Sequence, residues 1–325
     1  MDIKVISFCC FVVLFLHSCK QNTASIVCIE PCLTVEELND STFFKDVYGI
    51  IHDTKHIYAS DTYNGRVLKF DLDMNYQGSI GTRGQGPGEF PALGGIVCLN
   101  DTLYALNCNN GDLSVLTTGG KFVETVRKEE IITFPDRYCM DESKCIYVCS
   151  PIDPFPLVKY DAGMNRRFGF GTRRESGDNM LSAERLLYLF GNNILSIKAD
   201  EPLLALYDRQ GKILLDRRID NHLFSSRLLF KKQEQEKNPA NGKKGYKLFY
   251  DIAVSGDIVY LLHIYHDSDN RPYCNRIARL VFENGNFRFI DAYQLPDAWY
   301  TSICLVGNRL VCYCSVKQEF QIYEL

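Results

Sequence analysis

IYASDTYNGRVLKFDLD (Ile57–Asp73) reads as a strand, a tight turn and a second strand. Ile57–Asp61 is apolar and β-prone, Thr62–Gly65 is turn chemistry, and Arg66–Asp73 alternates apolar and polar residues apart from the pair Val67-Leu68. Met74-Asn75 makes a further turn, and Tyr76–Ile80 a third strand. A turn-then-strand signature, HDTKHIYAS (His52–Ser60), leads into this stretch and recurs five more times, in LNDTLYAL (Leu99–Leu106), MDESKCIYVC (Met140–Cys149), FGNNILSI (Phe190–Ile197), VSGDIVYLL (Val254–Leu262) and VGNRLVCY (Val306–Tyr313). With Ile57, Leu103, Ile146, Ile194, Val259 and Leu310 as equivalents, the spacings are 46, 43, 48, 65 and 51 residues. A period of roughly 40–50 residues with several strands per unit is the mark of propeller blades. The expected fold is all-β: a six-bladed β-propeller of four-stranded antiparallel blades.

The third strands support that count. KFDLDMN (Lys69–Asn75), SVLTTGGK (Ser114–Lys121), VKYDAGMN (Val158–Asn165), ALYDRQGK (Ala205–Lys212) and RLVFENGN (Arg279–Asn286) each run into a turn of Asp, Asn and Gly residues suited to a hairpin. The sixth, QIYEL (Gln321–Leu325), stops at the end of the sequence, so the last blade lacks an outer strand. SIVCIE (Ser25–Glu30) is a spare strand, expected to pair there and close the ring. The long gap holds KKQEQEKNPANGKKGYK (Lys231–Lys247), nearly all polar, which reads as a solvated loop insertion or a partner-facing one.

Ile57–Asp73, with GSIGTRGQGPGEFPALGGIVC (Gly78–Cys98), resembles an NHL repeat. Asp61, Asn64 and Arg66 precede an aliphatic strand, and Gly86, Pro87, Gly88, Glu89 and Phe90 end a Gly-rich crossing, as in that family. The resemblance covers about 40 residues and implies a crossing from the outer strand of one blade to the axis, with Phe90 wedged between blades. Gly81–Gly88 is not a phosphate cradle, because no Lys-Ser/Thr pair or helix pattern follows it.

Residues 1–18 read as a signal peptide. Lys4 precedes an apolar run, Val5–Leu16, too short to span a bilayer as a helix. Leu16-His17-Ser18-Cys19 resembles the lipobox of bacterial lipoproteins, which implies cleavage before Cys19 and lipid attachment to it. An ordinary secretory signal or an uncleaved anchor is the alternative. Residues 19–24 are then the lipidated Cys and a short tether, and residues 25–325 the propeller. Lys20-Gln21-Asn22-Thr23 lacks an acidic run, pointing to an outer-membrane anchor with the domain on the periplasmic side.

Net charge is −4, with both signs mixed along the chain, so nothing suggests nucleic acid as a partner. Of 14 cysteines, eleven lie beyond Cys19. Cys312 and Cys314 share one strand face about 6.6 Å apart, with parallel side chains, and read as buried free thiols. Cys28 and Cys32 are the pair to examine for a disulfide. His263, His266, Asp267 and Asp269 form a hairpin rather than a metal site, and no metal ligand is assigned.

Propeller ligands sit at the mouth of the central channel, lined by innermost strands and the loops that enter them. The ligand-binding candidates are Arg83 and Gln85 in the first crossing; Arg137 and Tyr138 before the third blade; Arg173 and Arg174 before the fourth; Tyr246 before the fifth; and Trp299 and Tyr300 before the sixth. Asp153 and Tyr250 lie on similar loops. Arg with aromatics would suit an anionic or carbohydrate-like ligand; the plain alternative is Arg paired with neighbouring carboxylates. There is no nucleophile elbow or zincin motif, and no catalytic residue is assigned. The chain resembles the NHL-type propeller lipoproteins of Bacteroides-type bacteria, which implies an envelope location. The expected protein is a monomeric, non-catalytic propeller needing no cofactor and binding a small ligand, peptide or envelope protein. The alternative is a lactonase-like, metal-dependent hydrolase or lyase acting on a sugar or lactone, with Ca²⁺ in the channel.

Overall fold

The structure is a computed structural model and describes residues 25–38, 43–109, 111–127, 138–151, 153–172, 184–219, 221–237 and 246–325. Its strands form six antiparallel meanders, each ordered from an inner strand outward. The inner strands are Val47–His52, Leu93–Leu99, Tyr138–Met140, Arg185–Phe190, Phe249–Ser255 and Tyr300–Val306, for blades 1 to 6. The expected six-bladed β-propeller is the observed fold.

All six repeat markers lie on the second strand of their blade, and none is more than 2% exposed. That burial explains why the repeat is visible. A second strand has blade neighbours on both faces, so both sets of alternating side chains must be apolar. Six hydrophobic clusters fill the six gaps between successive blades, including the gap between blades 6 and 1. Phe90 is fully buried between blades 1 and 2 with Tyr58, Val67, Ile96 and Leu103.

The NHL-like residues of blade 1 are fasteners. The buried Asp61 carboxylate accepts hydrogen bonds from Asn64 Nδ2 (2.8 Å), Arg66 Nε (3.0 Å) and the Lys45 amide (3.2 Å). Arg66 and Asn64 also donate to the Phe43 carbonyl, tying the turn to the segment that enters the blade. Gly65 has φ +63°, and a Cβ there would stand 2.7 Å from the Phe90 carbonyl oxygen. Only glycine satisfies both constraints. The turns after the third strands of blades 1, 3 and 4 follow one device: Asp71, Asp161 and Asp208 each accept from two backbone amides further along the chain. Asp267 does the same in the turn between the second and third strands of blade 5.

Two expectations are corrected. Ser25–Glu30 does not close the sixth blade. Its strand, Ile26–Cys28, adds in parallel to the outer edge of blade 5, against Asn286–Gln294. The closing strand is Leu33–Val35, antiparallel to Glu319–Glu324. Spacing accounts for the difference. Leu33–Val35 is 11 residues before the inner strand of blade 1, matching the 12 between Ile80 and Leu93 at the first crossing, whereas Cys28 is 18 residues away.

The polar insertion is not simply a loop. Ser225–Lys237 is a helix, α1, reached through a 3₁₀ turn (His222–Phe224) whose N-cap, Asn221, accepts from the Leu223 amide. Leu223 and Phe224 anchor it by entering the core between blades 4 and 5. Lys231, 2.9 Å from Asp200, ties the helix to blade 4. Its charged sequence obscures the helix because none of its residues is buried and it carries no strong apolar stripe. The signal peptide, Cys19 and residues 238–245 lie outside the described residues.

Candidate functional site: the central channel

The six inner strands enclose a cavity of about 320 Å³ to which every blade contributes. Strand register defines one ring of equivalent positions around it. The residue after each marker pairs, across the first hairpin, with Ile51, Val97, Cys139, Tyr188, Ala253 and Cys304 in blades 1 to 6. All six line the cavity. Five also pack into the cluster shared with the following blade. Tyr188 does not join the blade 4–5 cluster and retains 36% of its surface. Its hydroxyl lies beside the Val254 amide of blade 5, within electrostatic range of Cys139 of blade 3 and Cys304 of blade 6. The phenol therefore reaches into the channel towards three other blades.

The wall is uncharged over most of its area. Burial pushes Cys139 and Cys304 up to about 12, and burial with Asp53 and Asp101 nearby does the same for Cys98. These groups are thiols at neutral pH, and Tyr188, also raised to about 12 by burial, is a neutral phenol. Asp251 is the one buried carboxylate among the described lining residues. Its oxygens accept from the Ile252 amide (2.7 Å), the Ile303 amide (2.8 Å) and Ser302 Oγ (3.0 Å), bolting blade 5 to blade 6. The other carboxylate, Glu142, has a 77% exposed side chain and lies 3.5 Å from Arg209. Among the described residues, no group of three His, Cys, Asp or Glu side chains is placed to hold a metal ion.

The two ends differ. At the end where the chain enters each inner strand, Lys247 Nζ lies 2.7 Å from Glu184 Oε1, donates to the Tyr48 hydroxyl at 3.5 Å and sits over the Tyr250 ring. At the hairpin end, His52, Leu99 and Glu142 form the rim.

Of the candidates read from the sequence, Tyr138 lines the channel. It is 7% exposed and its hydroxyl donates to the Tyr104 carbonyl (2.7 Å). Arg83 and Gln85 are exposed on the first crossing, away from the channel, and Arg83 Nη1 donates to the Tyr63 carbonyl (3.1 Å). Tyr246 packs edge-on against Phe230 of α1. Trp299 meets Tyr250 edge-on. Tyr300 is fully buried in a blade 6 network, donating to Gln321 Oε1 (2.6 Å). Asp153 pairs with Arg166 at 2.9 Å. Arg137, Arg173 and Arg174 lie outside the described residues. The structure thus brings Tyr138 into the site and directs Arg83, Gln85, Tyr246, Trp299 and Tyr300 elsewhere.

Sequence reasoning missed Tyr48, Tyr188, Lys247 and the channel thiols. A signal was present: the ring residues sit six or seven positions before each marker, as Tyr188 does before Ile194. Cys28 and Cys32 are exposed free thiols in the structure. His266 ends its strand and Asp267 caps the turn, as the hairpin reading expects.

Similar solved structures share this architecture at low identity. A Bacteroides vulgatus member of the duf4221 family is 11% identical, covering 94% of this chain and 98% of its own, with a TM-score of 0.65. A protein of Bacteroides fragilis described as exported is 13% identical, covering 90% of each chain, with a TM-score of 0.60. Virginiamycin B lyase from Staphylococcus aureus is 11% identical, covering 90% of this chain and 98% of its own, with a TM-score of 0.54. At these identities the likeness is one of fold. No curated protein matches the chain. The DUF5128 profile, described as a 6-bladed β-propeller, matches residues 35–271, and the chain belongs to that family.

Proposed function

We propose that the protein is a non-catalytic binding propeller of the bacterial cell envelope, tethered by lipid on Cys19, with the central channel as its ligand seat. The observation that carries this reading is the channel wall. It is a concave cavity formed by all six blades, mostly apolar, with a few hydroxyls and thiols, and its buried carboxylate is committed to backbone amides. A hydrolase or lyase using channel Ca²⁺ would need six to eight oxygen ligands, which the described lining does not gather. The apolar run before Cys19 and the exported Bacteroides fragilis protein of similar fold support an envelope location. Among the described residues, no helix is long and apolar enough to cross a membrane.

Thermal unfolding of the chain against small molecules and divalent cations tests the seat. Binding raises the midpoint with ligand concentration. Stabilisation by uncharged small molecules is expected. A large shift with Ca²⁺ that is lost in Asp251→Asn would favour the metal-dependent enzyme. For the tether, metabolic labelling with a radioactive fatty acid should mark the wild type and not Cys19→Ser; equal labelling would refute it.

A further inference from the structure

The ring of six equivalent positions contains one residue that breaks the pattern. Ile51, Val97, Cys139, Ala253 and Cys304 pack into the cluster with the following blade, whereas Tyr188 projects into the cavity. We propose that Tyr188 is the specificity-determining residue of the channel and that the site takes an uncharged, mainly hydrocarbon molecule carrying one hydrogen-bonding group. This inference rests on the channel being the ligand seat.

The polar inventory of the wall supports that ligand class. Tyr138 has spent its proton on the Tyr104 carbonyl. Asp251 is occupied by two amides and Ser302. The Tyr48 hydroxyl accepts from Lys247 at the chain-entry end. The thiols are weak donors. Tyr188 has the Val254 amide beside its oxygen, so its own O–H remains to donate to a ligand within the cavity. An anionic ligand would lose its hydration there with no buried cation among the described lining residues to replace it, and a cation would meet only Asp251, whose oxygens are already engaged by two amides and Ser302. The volume of about 320 Å³ is at the small end for ligand pockets, fitting a fused bicyclic ring rather than a peptide or an oligosaccharide.

The test uses four probes of one shape: naphthalene, 1-naphthol, 1-naphthoate and 1-naphthylmethylammonium. Each is titrated into the full chain and into Tyr188→Phe and Tyr188→Trp, with folding checked by circular dichroism. In the wild type, 1-naphthol should bind most tightly, exceeding naphthalene by about three- to tenfold for one hydrogen bond. The two ions should bind at least about tenfold more weakly than 1-naphthol. Tyr188→Phe should erase the preference for 1-naphthol while leaving naphthalene unchanged. Tyr188→Trp should fill the cavity and weaken all four.

An unchanged naphthol-to-naphthalene ratio in Tyr188→Phe overturns the role of Tyr188, whatever becomes of the Trp variant. Tighter binding of either ion, still lost in Tyr188→Trp, overturns the ligand class while leaving the channel as the seat. Absence of binding by all four probes, or binding that a folded Tyr188→Trp leaves intact, overturns the channel reading itself.

Discussion

His263 lies on the second strand of blade 5, fully buried, with its ring edge-on to Phe224 at 5.1 Å. Among the described residues, neither ring nitrogen has a hydrogen-bond partner of good geometry. Burial, with Arg276 directly across the strand pair, pushes its pKa from 6.5 down to about 3. A depressed imidazole pKa means that the unfolded chain takes up the proton before the folded one. The contribution to stability is therefore full above pH 6.5 and is lost as pH falls from 6.5 towards 3. The slope is about 1.4 kcal/mol per pH unit, so at pH 5 wild type should have lost about 2 kcal/mol through this residue. His263→Leu keeps similar bulk, removes the uncompensated ring nitrogens and cannot titrate. Near pH 7.5 it should be as stable as wild type or more so, because a buried polar atom without a partner costs about 1–3 kcal/mol, against about 0.5–1.5 kcal/mol for the lost aromatic contact. Urea unfolding of both proteins at pH 7.5, 6.5 and 5.0 isolates the effect, since the other acid-sensitive groups are common to both. The stability difference should shift in favour of the variant by about 2 kcal/mol between pH 7.5 and 5.0. A difference independent of pH would show that the imidazole is not held neutral, and a shift towards wild type would mean that it protonates with a partner.

Asp61→Ala should lower stability by about 3–5 kcal/mol in urea unfolding, because it leaves Arg66, only 13% exposed, without its carboxylate; a loss below about 1 kcal/mol would make the NHL-like triad ornamental. Deleting residues through Glu30 should move the melting midpoint by only a few degrees, since Ile26 and Val27 are 40% and 43% exposed even when paired. Deleting through Val35 should remove the closing strand, open the edge of Glu319–Glu324 and give a broad transition with self-association on size-exclusion chromatography; equal effects of the two deletions would contradict the assignment of closure to Leu33–Val35. Alkylation of the native protein at pH 8, mapped by mass spectrometry, should mark Cys28 and Cys32 within minutes and spare Cys139 and Cys304, which are buried and at about 12 by desolvation; early labelling of Cys304 would mean that the channel wall opens.

The architecture was legible because its markers are compelled by physics that acts locally. A second strand between two blades must be apolar on both faces, and the turn before it must carry Asp, Asn or Gly, so each marker leaves a pattern of eight to ten residues. Tertiary choices were less legible. Ser25–Glu30 and Leu33–Val35 are both short extended segments, and each satisfies a sheet edge. What distinguishes them is the distance to the next inner strand, visible only once the crossings have been measured. Helix α1 was obscured for a different reason: it is held by Lys231 to Asp200, by Leu223 and Phe224 just ahead of it, and by the half-buried Leu228 and the stacking of Phe230 on His266, rather than by a continuous buried apolar stripe.

The site was the least legible part, and the cause lies in where polar residues stand out. Arg83, Trp299 and Tyr300 attract notice in a sequence because they are large and chemically distinctive, yet their side chains serve a turn, an aromatic contact and a buried network. The inner strands look like ordinary core: GIIH, GIVC, YLF and SICL differ little from segments that merely fill space. The role proposed for them comes from register. One residue per blade falls on the same ring, and substitution of a single member changes the chemistry of the whole channel, because six side chains share one small volume. Tyr188 is then informative by contrast with its five counterparts rather than by its identity. In a family that conserves the blades and alters the ligand, variation should concentrate at Ile51, Val97, Cys139, Tyr188, Ala253 and Cys304, while Asp251, whose carboxylate fastens blade 5 to blade 6, should change only when Ser302 changes with it.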